Sequence, residues 1–60
     1  MTRQINGYNI ETVGGFITIK HWMVFDKDNY CQGIYFKYGE AKEACLRDNF
    51  DGAYKGRLYS

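Results

Sequence analysis

The sequence predicts an α+β fold: a three-stranded antiparallel β-meander with one C-terminal α-helix packed on one face. Three observations carry this. Gly14 and Gly15 interrupt two runs of alternating apolar and polar residues, Asp26, Lys27, Asp28 and Asn29 separate two further β-like stretches, and small apolar residues recur at helical spacing after Gly39. In a chain of 60 residues these elements fill a single small domain.

The first strand spans residues 4–13 and the second residues 16–25. Adjacent glycines can adopt the positive φ angles of a two-residue hairpin turn. In that register Ile10 lies opposite Ile19, and Tyr8 opposite His21. Strand side chains alternate between faces, so Tyr8, Ile10, Ile17, Ile19, His21, Met23 and Phe25 share one side. A third strand, residues 30–37, returns from the second turn and sets Ile34 opposite His21 and Phe36 opposite Ile19. Both turns therefore place apolar side chains on the same face.

A helix over residues 40–49 covers that face. Gly39 serves as its N-cap, and Glu40 and Glu43 place negative charge where the helix dipole favours it. Ala41, Ala44, Cys45 and Leu46 cluster on one side, small enough to let the helix sit close to the sheet. Asn49 and Gly52 provide a stop, and Phe50 closes the end of the core. Residues 52–60 form either a short extra strand or a tail.

Composition then removes function classes. With 45% apolar and 18% aromatic residues and no proline, the chain is globular and not a disordered tail. Eight Lys and Arg against seven Asp and Glu leave a net charge of +1, so nucleic-acid binding would have to rest on local clustering. No segment approaches the roughly 18 apolar residues of a membrane span, and no secretory h-region opens the chain; a cytoplasmic protein without a membrane partner is expected. Cys31 and Cys45 fall on different layers and read as reduced structural thiols. His21 is the only histidine, placed where a packed imidazole fits better than a general base, so no enzymatic activity is expected. Cys31, Cys45 and His21 lack paired zinc-ligand spacing. The run from Asp26 to Asn29 resembles a calcium loop only until Tyr30, and Lys37 stands where the closing glutamate belongs. Neither metal nor cofactor is expected.

The uncovered face carries the functional expectation. In this register it presents Phe16, Trp22, Val24 and Tyr35 beside Lys20 and Lys37, an apolar patch larger than a monomer ordinarily exposes. Phe16, Lys20, Trp22, Tyr35 and Lys37 are thus the predicted partner-binding residues, and a protein is the predicted partner. Homodimerisation through this face is one alternative. Another is a minor second core made with Tyr54, Leu58 and Tyr59. In size and texture the chain resembles small accessory proteins of phages and plasmids, which implies a regulator or inhibitor.

The order strand, strand, strand, helix over residues 16–47, with Trp22, Asp26, Asn29, Phe36, Glu40 and Ala41 in place, resembles the arm-type DNA-binding domains at the N-termini of phage and transposon integrases and the related AP2-type domains. The resemblance implies an open sheet face lying in a DNA major groove. Arg3, Lys20, Lys37, Lys55 and Arg57 would then supply the nucleic-acid contacts. The exposed strands offer fewer cations than those families carry, with Glu11 among them.

Overall fold

Asn6 and Gly7 form the first turn, with φ angles of 53° and 84°. Two successive positive φ values are what a type I′ hairpin needs, and asparagine followed by glycine tolerates them best. The turn joins β1 (Thr2–Ile5) to β2 (Tyr8–Val13), setting Arg3 opposite Ile10 and Ile5 opposite Tyr8. The computed structural model describes residues 2–54. It continues through β3 (His21–Phe25) and β4 (Cys31–Tyr35) into a single helix, α1 (Tyr38–Arg47). The sheet is antiparallel in the order β1-β2-β3-β4. The α+β class holds, but the meander has four strands because the stretch expected as one strand over residues 4–13 bends back at Asn6 and Gly7.

The second connection differs more deeply from expectation. Gly14 and Gly15, with φ of 80° and 98°, do not sit at a hairpin tip. The Gly15 N–H donates to the Thr18 carbonyl at 2.9 Å, which makes Phe16 and Ile17 the tip and the glycines one shoulder. A Cβ on Gly14 would stand 2.5 Å from the Ile19 carbonyl oxygen, so the close approach of the two loop limbs requires glycine there. The strand expected from residue 16 begins only at His21.

Ile10 consequently pairs with Val24, five positions beyond Ile19. An odd shift exchanges the two faces of a strand relative to its neighbour. Ile10 now shares its face with Trp22 and Val24, and this is the face on which α1 packs. The third hairpin pairs Trp22 with Tyr35 and Met23 with Ile34, two positions from the expected register, so those faces keep their relation. A bulge after Val24 leaves Gln32 unpaired between Gly33 and Cys31.

The core contains Ile10, Val24, Tyr35, Ala41, Ala44 and Cys45. Burial pushes the Tyr35 hydroxyl and the Cys45 thiol above their ordinary pKa values. Ala41, Ala44 and Cys45 face the sheet as their spacing predicts, while Leu46 is exposed. α1 starts earlier than expected, with Lys37 and not Gly39 as N-cap. Asp48, left-handed at φ 55°, ends it, its N–H donating to the carbonyls of Ala44 and Cys45. Phe50 meets the Tyr8 ring edge-on at 5.0 Å.

Tyr54 then pairs with Ile34 through two backbone hydrogen bonds of 3.0 and 2.9 Å, a single bridge along the free side of β4. A Cβ on Gly33 would lie 2.3 Å from that of Ala53, so the chain can return this closely only past a glycine. The expected contacts from Lys55, Arg57, Leu58 and Tyr59 lie outside the described residues. No helix among the described residues is long and apolar enough to cross a membrane.

Candidate functional site

The loop of residues 14–20 exposes three large apolar side chains in close succession. Phe16 is 95% exposed, Ile17 89% and Ile19 69%. An aliphatic or aromatic side chain forgoes about 1.5–3 kcal/mol when it stays in water and not in a core. Single exposed apolar residues are ordinary, whereas three on one loop concentrate apolar surface in one place.

The loop is tied down at its base. The buried His21 ring, turned away from α1, donates its Nδ1–H to the Ile19 carbonyl at 2.7 Å. Because a carbonyl only accepts, this bond fixes the proton on Nδ1 when the ring is neutral. At the loop's C-terminal end Lys20 lays its Nζ over the Trp22 ring, 5.6 Å from the centroid. Trp22 in turn tilts against Tyr38 at 6.4 Å, and the Arg3 guanidinium lies 5.9 Å from the Tyr38 centroid. Arg3, Ile10, Thr12, Trp22 and Tyr38 line a shallow cavity of about 280 Å³.

Of the residues predicted to bind a partner, the structure thus brings Lys20 and Trp22 together, sets Arg3 over the neighbouring Tyr38 ring, and leaves Phe16 exposed on the loop. Trp22 and Tyr35 are not on an uncovered face; the shifted register turns both toward α1, where Trp22 is half-buried and Tyr35 buried. Lys37 is exposed at the N-cap of α1. Ile17, Ile19 and Tyr38 complete the surface and were missed. The sequence pattern places the two isoleucines beneath the helix, and the one signal that sets them apart is their proximity to the Gly14-Gly15 shoulder.

The opposite end of the molecule has the reverse character. The Asp26 carboxylate accepts from the backbone N–H groups of Asp28 and Tyr30 at 2.9 Å each and from Gln32 Nε2 at 2.7 Å. These donors, the Tyr30 N–H foremost, hold its pKa below the ordinary carboxylate value. Tyr8 donates its hydroxyl to the Asp48 carboxylate, which raises the Tyr8 pKa, and Asn6 Nδ2 donates to the Cys45 carbonyl at 2.8 Å. Asp26, Lys27, Asp28 and Asp48 line a cleft there of about 360 Å³, with Asn6, Gly7 and Tyr8. β2 runs from this acidic end at Tyr8 to the apolar loop beyond Val13.

A comparison with protein-family models, with curated proteins and with solved structures finds no match for this chain.

Proposed function

We propose that this chain is a small non-enzymatic binding module, a regulator or inhibitor that docks on a protein partner through the apolar loop of residues 14–20. The single observation that carries the reading is the exposure of Phe16, Ile17 and Ile19 on a loop whose backbone is nevertheless held by the Gly15 to Thr18 and His21 to Ile19 hydrogen bonds. A pre-shaped apolar projection loses little conformational entropy on binding, which favours affinity from a small contact area. The surface differs from the sheet face anticipated from sequence, but Phe16 and Lys20 belong to both.

The triple substitution Phe16→Ser, Ile17→Ser, Ile19→Ser tests it. These side chains contribute nothing to the core, so the variant keeps its fold by circular dichroism while the immobilised protein loses the species that the parent chain captures. Sedimentation of the parent distinguishes a second copy from a different protein. A homodimer sediments at twice the 7.0 kDa chain mass. Equal capture by parent and variant removes the loop from the function.

One observation favours a second reading, nucleic-acid binding of the integrase arm or AP2-like kind. Arg3 and Lys20 lie over aromatic rings, and Lys37 is the N-cap residue immediately before Tyr38. Cations interleaved with aromatic rings suit a phosphate backbone and stacked bases. Affinity that falls steeply with salt and with Lys20→Ala or Lys37→Ala supports that reading; salt-insensitive binding removes it.

A further inference from the structure

The partner's chemistry can be narrowed from the surroundings of the loop. Arg3 and Lys20 are each spread over a ring, Tyr38 and Trp22, with 6.4 Å between the two ring centroids. A cation over an aromatic face is oriented but not neutralised, so its charge remains available to a carboxylate. Among the described residues the one ion pair is Arg47 with Glu43, at the far end of α1. Glu40, in the first turn of α1, is exposed, and Glu11 projects from the other face of the sheet. Lys37, the N-cap of α1, lines a different cavity with Glu40, Glu43 and Arg47, so Arg3 and Lys20 are the cations of this surface.

We propose that the loop's partner presents an acidic segment bearing an apolar side chain, the apolar group seated on Phe16, Ile17 and Ile19 and its carboxylates on Lys20 and Arg3. This deepens the protein-docking reading and rests on it. The ligand is a polypeptide rather than a nucleic acid because Ile17 and Ile19 offer neither charge to a phosphate nor a ring to a base. The polarity of the molecule sets the orientation. Around the far cleft Asp26, Asp28 and Asp48 outnumber Lys27, so that end repels an acidic partner and the segment engages the loop end.

Selection of a random displayed peptide library on the immobilised whole chain tests this, with the triple-serine loop variant and Arg3→Glu/Lys20→Glu in parallel. The parent enriches peptides that combine Asp or Glu with a large apolar residue. The charge-reversed variant binds them at least about ten-fold more weakly at low ionic strength, a loss that shrinks as salt is added. It enriches basic peptides instead. Enrichment of apolar peptides without acidic residues, lost in the loop variant, overturns the acidic partner and leaves the docking loop standing. Enrichment indifferent to the loop variant overturns both. Trp22, the only tryptophan, supplies an independent reading. Quenching by oligothymidylate that the loop variant retains and the charge reversal abolishes would make the ligand a nucleic acid. Concentration-dependent self-association that the loop variant loses and the charge-reversed variant keeps would seat a second copy on the loop without carboxylates, and also overturns the proposal.

Discussion

Residues 26–30 and residues 14–20 both connect neighbouring strands, yet they spend their side chains in opposite ways. In the first, one carboxylate, Asp26, collects two backbone N–H groups and the Gln32 amide, and Asn29 takes the left-handed φ of 67° that lets the chain turn. The Asp26 carboxylate is consumed internally. In the second, the backbone is closed by its own hydrogen bonds while Phe16, Ile17 and Ile19 stay largely exposed. The difference separates a connection that serves the fold from one that the fold serves, since a side chain's value is read from where its partners lie and not from its type.

Isoleucine provides the sharpest break of that comparison. Ile10 is 2% exposed, against 89% for Ile17. Ile10→Ala removes buried methylene groups and costs about 2–5 kcal/mol, enough to unfold much of so small a domain. Ile17→Ala changes stability by less than about 0.5 kcal/mol. Urea unfolding of the two variants checks this. A costly Ile17→Ala would mean that the loop folds back on the body and is not a docking surface.

Gly14→Ala comes next. It places a Cβ 2.5 Å from the Ile19 carbonyl at a φ of 80°, a strain of about 1–3 kcal/mol. The loop relieves it by spreading its limbs, so the variant is destabilised and loses capture together, whereas the triple-serine variant loses capture alone. Unfolding midpoints measured beside binding separate the two effects. A silent Gly14→Ala would show that the shoulder is not held in this form.

Acid titration isolates the other connection. The folded Asp26 pKa lies below its ordinary 3.8, so its stabilisation is fully present above that value and is lost as pH falls through the folded one. Asp26→Asn lowers the urea midpoint at neutral pH and flattens its decline in acid, while the triple-serine loop variant follows the parent curve throughout. Parallel curves for Asp26→Asn and the parent would assign the acid sensitivity to another carboxylate.

Legibility follows the same division. The small side of α1 and the polar turn were readable because Ala41, Ala44 and Cys45 recur at helical spacing and because Asp, Lys, Asp and Asn in succession favour a turn locally. Asn6 followed by Gly7 is an equally strong hairpin signal, masked because the residues around it continue a β-like pattern. Residues 16–20 misled for a physical reason. Alternating Ile and Thr favour extended backbone whether or not a strand pairs with them, and pairing is decided at a distance. Here Ile10 finds Val24 and β1 takes the other edge of β2. That odd shift turned Trp22 inward and released Ile17 and Ile19, so the candidate surface was the part least readable from local sequence.

The smallest expected effect concerns the joint between loop and body. Lys20 lies over Trp22, and its removal by Lys20→Ala forfeits an exposed cation–π contact worth about 0.5–1 kcal/mol. Because Trp22 is the only tryptophan, its emission reports this contact without interference. Lys20→Ala should shift the emission slightly and lower the unfolding midpoint by a small amount, whereas Phe16→Ser leaves both unchanged. Salt discriminates further: weak screening over the contact distance leaves the fluorescence of the parent nearly constant, while attraction of an acidic partner to the same lysine falls away. If Phe16→Ser moves the Trp22 emission as far as Lys20→Ala does, Phe16 packs on the ring and the boundary between structural and docking residues has to be drawn beyond it.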